Sequence, residues 1–418
     1  MSVSEKQQST GPLQGIRILD LTQFLSGPYA TMILGDLGAE IIKVESHQGD
    51  AARAIPPYFV GADSAYYLSV NRNKKSVAVD MKQSAGRKVV RDLAQQCDVV
   101  IENFRPGVVQ KLGLSYEEMS RENPRLIWCS ISGFGQDGPY RDYPAYDMIV
   151  QALSGGMSLT GEYGGLPVRS GVPLGDLSAG MFAVIGIQSA LVERAHTGRG
   201  RQIDVAMLDC QISMLCYQAG YHLINGVVPT TQGRGHDSIP TYRAFVSGDG
   251  VNVVVCANTE RMWQDMAAEL GLGDLIADAR FLKNADRYAN RESLWPLLDA
   301  AFREQPSSHW VTRFRAKSIP VGVVNTLDKA LSDPQVAHRK MVVELEDAVG
   351  QNRIRVAGNP VKFADMPEEA HVYPPGLGAD TRSVLHELLG MPDEQLDELF
   401  RSSVLTEPAK TEAQKNAA

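Results

Sequence analysis

Paired metal ligands are missing from this 418-residue chain. Its five cysteines (Cys97, Cys129, Cys210, Cys216 and Cys256) are scattered, with no C-x-x-C pair. That excludes a disulfide framework or a zinc ribbon and fits reduced thiols in a cytoplasmic setting. The eight histidines show no H-x-x-x-H spacing, so no metal is expected. A basic excess is missing as well. Lys and Arg number 41 against 49 Asp and Glu, a formal net charge of −8, which argues against a nucleic-acid or anionic-membrane surface. The N-terminal M-S-V-S-E-K-Q-Q-S-T-G has neither an apolar signal core nor an Arg-rich amphipathic pattern. No apolar run is long and pure enough to read as a membrane span; Leu177–Val192 is short and carries Ser178, Gln188 and Ser189. The expectation is a cytoplasmic protein with no nucleic-acid or membrane partner.

What is present is ordinary for a globular protein, 44% hydrophobic and 22% charged, over a length that predicts two domains. Ile16–Leu21 reads as a strand, Tyr29–Leu37 as a helix ending at Gly38, and Glu40–Val44 as the next strand. This β-α-β unit begins a parallel sheet, so the fold class is α/β. G-x-G-x-x-G is absent, and Gly35 and Gly38 lie at a helix C-terminus where no N–H can face a phosphate, so a nicotinamide site is rejected. Further strands are expected at Val77–Asp80, Val99–Glu102, Leu126–Ile131 and Gln202–Val205, with helices at Ser84–Gln96 and Ser115–Asn123 and one long helix over Met207–Asn225. Loops after such strands are where open parallel sheets hold ligands. Asn71–Ser76 (N-R-N-K-K-S) reads either as a solvated charged turn or as an anion site. After Tyr242 the pattern shifts to short strands and helices, predicting a smaller α+β domain.

One stretch organises the rest. Gly171–Met181 reads G-V-P-L-G-D-L-S-A-G-M, with a single carboxylate, Asp176, between a Pro/Gly turn and the uncharged run Leu177–Val192. That run predicts a buried helix whose Gly180, Ala183 and Gly186 admit close neighbours. Asp176 is then either a helix N-cap, its carboxylate taking free backbone N–H groups, or a poorly solvated nucleophile kept ionised by those groups and the helix dipole. The two readings are compatible.

Five segments together carry a specific resemblance: G-I-R-I-L-D-L-T with S-G-P, L-G-D-L-G-A-E-I-I-K-V-E, N-R-N-K-K-S, D-V-V-I-E-N-F-R-P-G and G-D-L-S-A-G-M. Thr197–Met207 (T-G-R-G-R-Q-I-D-V-A-M) fits too. Over about residues 12–400 the chain resembles the class III CoA-transferases, the group of formyl-CoA:oxalate and carnitine CoA-transferases. The resemblance implies a Rossmann-like large domain over 12–225, a small domain over 226–325, a segment over 326–400 returning to the large domain, tails at 1–11 and 405–418, and an interlocked homodimer. It makes Asp176 the catalytic aspartate and places CoA, a substrate rather than a resident cofactor, near Ser26, Val79, Lys82, Asn103, Phe104, Arg105 and Lys111. Leu25 stands where formyl-CoA transferase has a glutamine, and Ser46 and Ser132 replace basic contacts, which argues against oxalate or formate.

Within the family, L-S-V-N-R-N-K-K-S and S-I-P-T-Y-R-A-F are most similar to succinyl-CoA-dependent enzymes acting on dicarboxylates such as glutarate or itaconate. A second carboxylate needs a cationic clamp; Arg72, Arg169 and His236 are the candidates, each with an alternative as a surface or structural residue. Gly233 and Gly235 are either an ordinary turn or N–H donors covering an oxyanion. A 2-methylacyl-CoA racemase of the same fold needs two bases. The segment that supplies its histidine reads Ala145-Tyr146-Asp147 here, so that rival is disfavoured. A non-catalytic CoA-binding protein is disfavoured because the aspartate is intact.

Overall fold

The predicted β-α-β unit is the start of a six-stranded parallel sheet in the computed structural model, which describes residues 11–364 and 371–406. Its strands are β1 (Arg17–Asp20), β2 (Glu40–Glu45), β3 (Lys74–Ala78), β4 (Val99–Glu102), β5 (Ile127–Ser132) and β6 (Gln202–Ala206). They lie in the order β3-β2-β1-β4-β5-β6, every pair parallel. The interior strands are covered on both faces, which is why V-V-I-E of β4 is buried throughout. The chain runs outward from β1 through β2 to β3, then returns to β4 on the other side of β1. The loops after β1 and β4 therefore diverge from neighbouring strand ends, and a parallel sheet opens a crevice at that point.

Two helices frame it, α1 (Ser26–Asp36) and α4 (Leu174–Thr197), with α2 (Ser84–Gln95) and α3 (Asp147–Leu153) between them in sequence. At 24 residues α4 is longer than the predicted run and is long and apolar enough by composition to cross a membrane, a correction to the reading of that stretch. One of its faces packs in the core of this unit. Ala179, Ala183 and Ile187 are fully buried with β-strand residues Ile18, Ile101 and Ile131 in one cluster. The predicted Met207–Asn225 helix is two, Met207–Met214 and Tyr217–Asn225, parted at Cys216, whose φ of 50° no helix can carry.

The chain divides into two compact units. The larger draws on residues up to Gly156, on Ser170–Ala219 and on residues from His338 onward; the smaller is Met157–Arg169 with Gly220–Ala337. These boundaries differ from 226–325 and 326–400. The segment before Ser170 joins the smaller unit because Leu159 and Gly161 carbonyls accept from Gln232 and Gly233 amides. In the larger unit, helices Thr381–Leu389 and Asp393–Arg401 complete the core beside α2 with Val384, Leu385 and Leu396, and Leu405 pairs with Val79. The smaller unit has an antiparallel sheet (Tyr242–Val246, Asn252–Cys256, Val321–Val323) over an aromatic core in which Phe245 stacks on Phe302 at 4.1 Å. The expected tails at 1–11 and 405–418 fall mostly outside the described residues; Gly11, Leu405 and Thr406 are described.

Candidate active site

Asp176 stands in the first turn of α4, not at its cap. The cap is Pro173, whose side chain offers no acceptor, so the predicted N-cap role is corrected. The acceptor comes from α3 instead. Asp147 Oδ1 takes the Gly175 N–H at 2.7 Å, and its Oδ2 takes Gln151 Nε2 at 2.7 Å. Gln151 in turn accepts the Ser170 N–H at 2.9 Å. A Cβ at 175 would lie 3.0 Å from Asp147 Oδ1, so glycine there lets the carboxylate approach without a shift. One turn beyond Asp176, a Cβ on Gly180 would lie 2.7 Å from the Ser26 carbonyl oxygen, so the start of α1 lies hard against α4.

The electrostatics follow from that placement. Burial, and then the charge of Asp147, push the Asp176 carboxyl up to about 7. The expectation that helix N–H groups hold it firmly ionised is therefore corrected in direction. Burial and the Asp176 charge push the Tyr66 hydroxyl, on helix Ala65–Val70, up to about 12. Below the site the pattern is opposite. Lys43 Nζ lies 2.9 Å from Asp50 and 2.7 Å from the Thr22 carbonyl, and Lys74 Nζ lies 3.1 Å from Asp20, all four charged groups buried. Asp50 Oδ1 accepts the Phe24 N–H, holding that residue at φ 63° just before α1. The crevice loops are tied to each other by Asn103, whose amide exchanges two hydrogen bonds with the Gln23 backbone at 2.9 and 2.8 Å.

Residues 13–381 match the model of CoA-transferase family III. The chain belongs to that family. It is 40% identical to the succinyl-CoA:glutarate CoA-transferase of Homo sapiens over 396 residues, 94% of this chain and 90% of that protein. It is 37% identical to the succinate–glutarate CoA-transferase of Agrobacterium fabrum over 90% of this chain and 96% of that one. A solved CAIB/BAIF family protein from Brucella suis superposes with a TM-score of 0.80 at 35% identity, covering 90% of this chain and 99% of the other.

Among residues singled out from the sequence, Ser26 lies at the α1–α4 contact against Gly180, one turn along α4 from Asp176, and Asn103, Phe104 and Arg105 follow β4 at the crevice. Asn103 is engaged in the loop tie just described, and the Phe104 N–H donates to Glu102. Arg105, Lys82 and Lys111 are exposed cations of the same unit. Val79 is withdrawn as a contact: its side chain is fully buried and its N–H donates to the Glu45 carbonyl. Arg72 is withdrawn as a clamp. It is 1% exposed and doubly bonded to Asp36 at 2.9 and 2.6 Å, with a third bond to the Ala357 carbonyl. The N-R-N-K-K-S segment is thus neither a solvated turn nor an anion site, since Lys74 and Lys75 pair with Asp20 and Glu40.

Arg169, His236, Gly233 and Gly235 belong to the smaller unit. Arg169 is exposed; His236 stacks on Tyr242 and lies 2.8 Å from Asp237. The Gly233 N–H already donates to Gly161, which removes it as an oxyanion donor, and Gly235 pairs with Arg243. Asp147, Gln151 and Tyr66 were missed. A signal for the first two existed in the i, i+4 spacing of an acid and an amide at the start of a helix.

Proposed function

We propose that this protein moves CoA from succinyl-CoA to a dicarboxylic acid such as glutarate or itaconate, with Asp176 as the covalent nucleophile. The Asp176 carboxylate attacks the thioester carbonyl; the C–S bond breaks, leaving a mixed anhydride and CoA thiolate. The thiolate then attacks the aspartyl carbonyl and expels succinate, giving an aspartyl-CoA thioester. The acceptor carboxylate attacks that thioester, and the released thiolate takes the acceptor acyl group, which restores Asp176. No net proton is consumed. The observation that carries this reading is a desolvated carboxyl raised to about 7 in the first turn of α4, because a more basic carboxylate is a better nucleophile and is still substantially ionised at neutral pH. The curated relatives of Homo sapiens and Agrobacterium fabrum support the substrate pair by their names.

In this reading the sheet binds CoA in the Rossmann-like manner, at the crevice between β1 and β4, with Arg105, Lys82 and Lys111 available to phosphates. The protein is cytoplasmic and acts as an interlocked homodimer. Exposed Met181, Ile185 and Val192 on α4, spaced four and seven residues apart, support a second copy as the cover of that helix.

Intact-mass measurement after mixing with succinyl-CoA tests the step. Wild-type protein gains a CoA adduct, whereas Asp176→Ala gains none and loses transfer to glutarate by ~10³-fold or more. Near-normal transfer by Asp176→Ala rejects the nucleophile. Exchange of the α-hydrogen for deuterium without CoA transfer would favour the racemase reading instead.

A further inference from the structure

The carboxylate of Asp147 has no part in the chemistry above, yet both of its oxygens are engaged at the start of α4. We propose that Asp147 is a positioning residue for the nucleophile: it caps α4 from outside the helix and, through Gln151, fixes the Ser170 loop from which that helix is launched. This rests on the covalent reading of Asp176.

Three independent features of the geometry support it. Pro173 leaves the first turn of α4 without a cap of its own. Asp147 supplies one across 28 residues of sequence, and Gly175 is the residue whose lack of a Cβ lets it approach. Gln151 is buried, and its bond to the Ser170 amide holds it in place to anchor Asp147, so the acid cannot swing away from Gly175 without breaking a further bond. The arrangement does two things to Asp176. It fixes the backbone one residue before it, and it sets a second negative charge nearby. The ionisable groups that face Asp176 are Asp147 from α3 and Tyr66 from Ala65–Val70, with Asp50 acting on Tyr66. A neutral residue at 147 makes Asp176 less basic, and a mobile one makes it less well aimed.

The test titrates the Asp176 carboxyl carbon by NMR in protein with ¹³C-labelled aspartate, its signal assigned by loss in Asp176→Asn. Asp147→Asn keeps a carbonyl for the Gly175 N–H, so it is expected to fold, and its Asp176 midpoint moves acidward by about half a unit or more. Gln151→Met leaves the Asp147 charge but frees its side chain. It lowers kcat about 10-fold with the succinyl-CoA KM unchanged. An Asp176 midpoint that stays in place in Asp147→Asn, or a wild-type kcat in Gln151→Met, overturns the proposal. The titration does not require turnover. A chain without transferase activity whose midpoint still shifts would reject the proposed function while leaving the electrostatic link between the two carboxylates intact.

Discussion

Asp20 and Asp176 are the same side chain in one unit of one protein, yet their acidities are pushed in opposite directions. Both are desolvated, which alone raises a carboxyl. At Asp20, Lys74 and Lys43 with hydrogen bonds from Thr22 and Thr31 outweigh burial and hold the group down at about 2. At Asp176 the second influence is another carboxylate, which adds to burial and leaves the group at about 7. Burial therefore does not decide whether a carboxyl is structural or chemical; the sign of its neighbours does. Asp20 belongs to scaffolding that fixes the Thr22–Ser26 turn, while Asp176, in the function proposed above, keeps reactivity at some cost in stability.

The comparison can be broken from its structural side first. Lys74→Met leaves Asp20 buried with one cation fewer, and removal of one partner of a buried pair costs about 3–5 kcal/mol. A marked fall in the urea midpoint, read by far-UV circular dichroism, is the expected result; an unchanged midpoint would show that Lys43 alone neutralises Asp20. A smaller effect comes from the packing that brings the two regions together. Gly180→Ala drives a methyl to 2.7 Å from the Ser26 oxygen and 3.1 Å from Tyr29 Cδ1, and overpacking of this kind costs about 1–3 kcal/mol. Thermal denaturation should show it, together with a loss of transfer.

The pH-dependent effect is the most diagnostic. With a folded value near 7 and an ordinary value of 3.8, Asp176 binds more protons folded than unfolded between those limits, so its ionisation removes stability as pH rises through that window. Asp176→Asn is therefore expected to match wild type near pH 4 and to exceed its Tm by about 3–5 °C at pH 8. Asp20 has the reverse sign: its contribution is complete above pH 3.8 and is lost as pH falls towards 2. A Tm difference between Asp176→Asn and wild type that is flat across pH 4–8 would remove the contrast.

How far the sequence revealed this depends on how local each signal is. Val99–Glu102 declared itself by a short apolar run and matches the structure in its bounds. The Met207–Asn225 pattern was continuous in periodicity, so only the backbone turn at Cys216 reveals the break. The Asn71–Ser76 segment read as a solvated turn or an anion site because its partners, Asp20, Asp36 and Glu40, are 35 to 54 residues away. Asp176 was found through its motif, but its cap was misassigned for the same reason, since Asp147 is distant in sequence and adjacent only after α3 and α4 pack.

The Val79–Leu405 pairing has a consequence for the order of events during synthesis. The core around β3 is lined by Val384, Leu385, Leu396 and Leu405, all of which leave the ribosome after the entire smaller unit. The sheet strands made first must therefore wait, with one hydrophobic face covered only in part by α2, until the last part of the chain arrives. Nascent chains stalled before residue 380 should be the ones that chaperones hold longest.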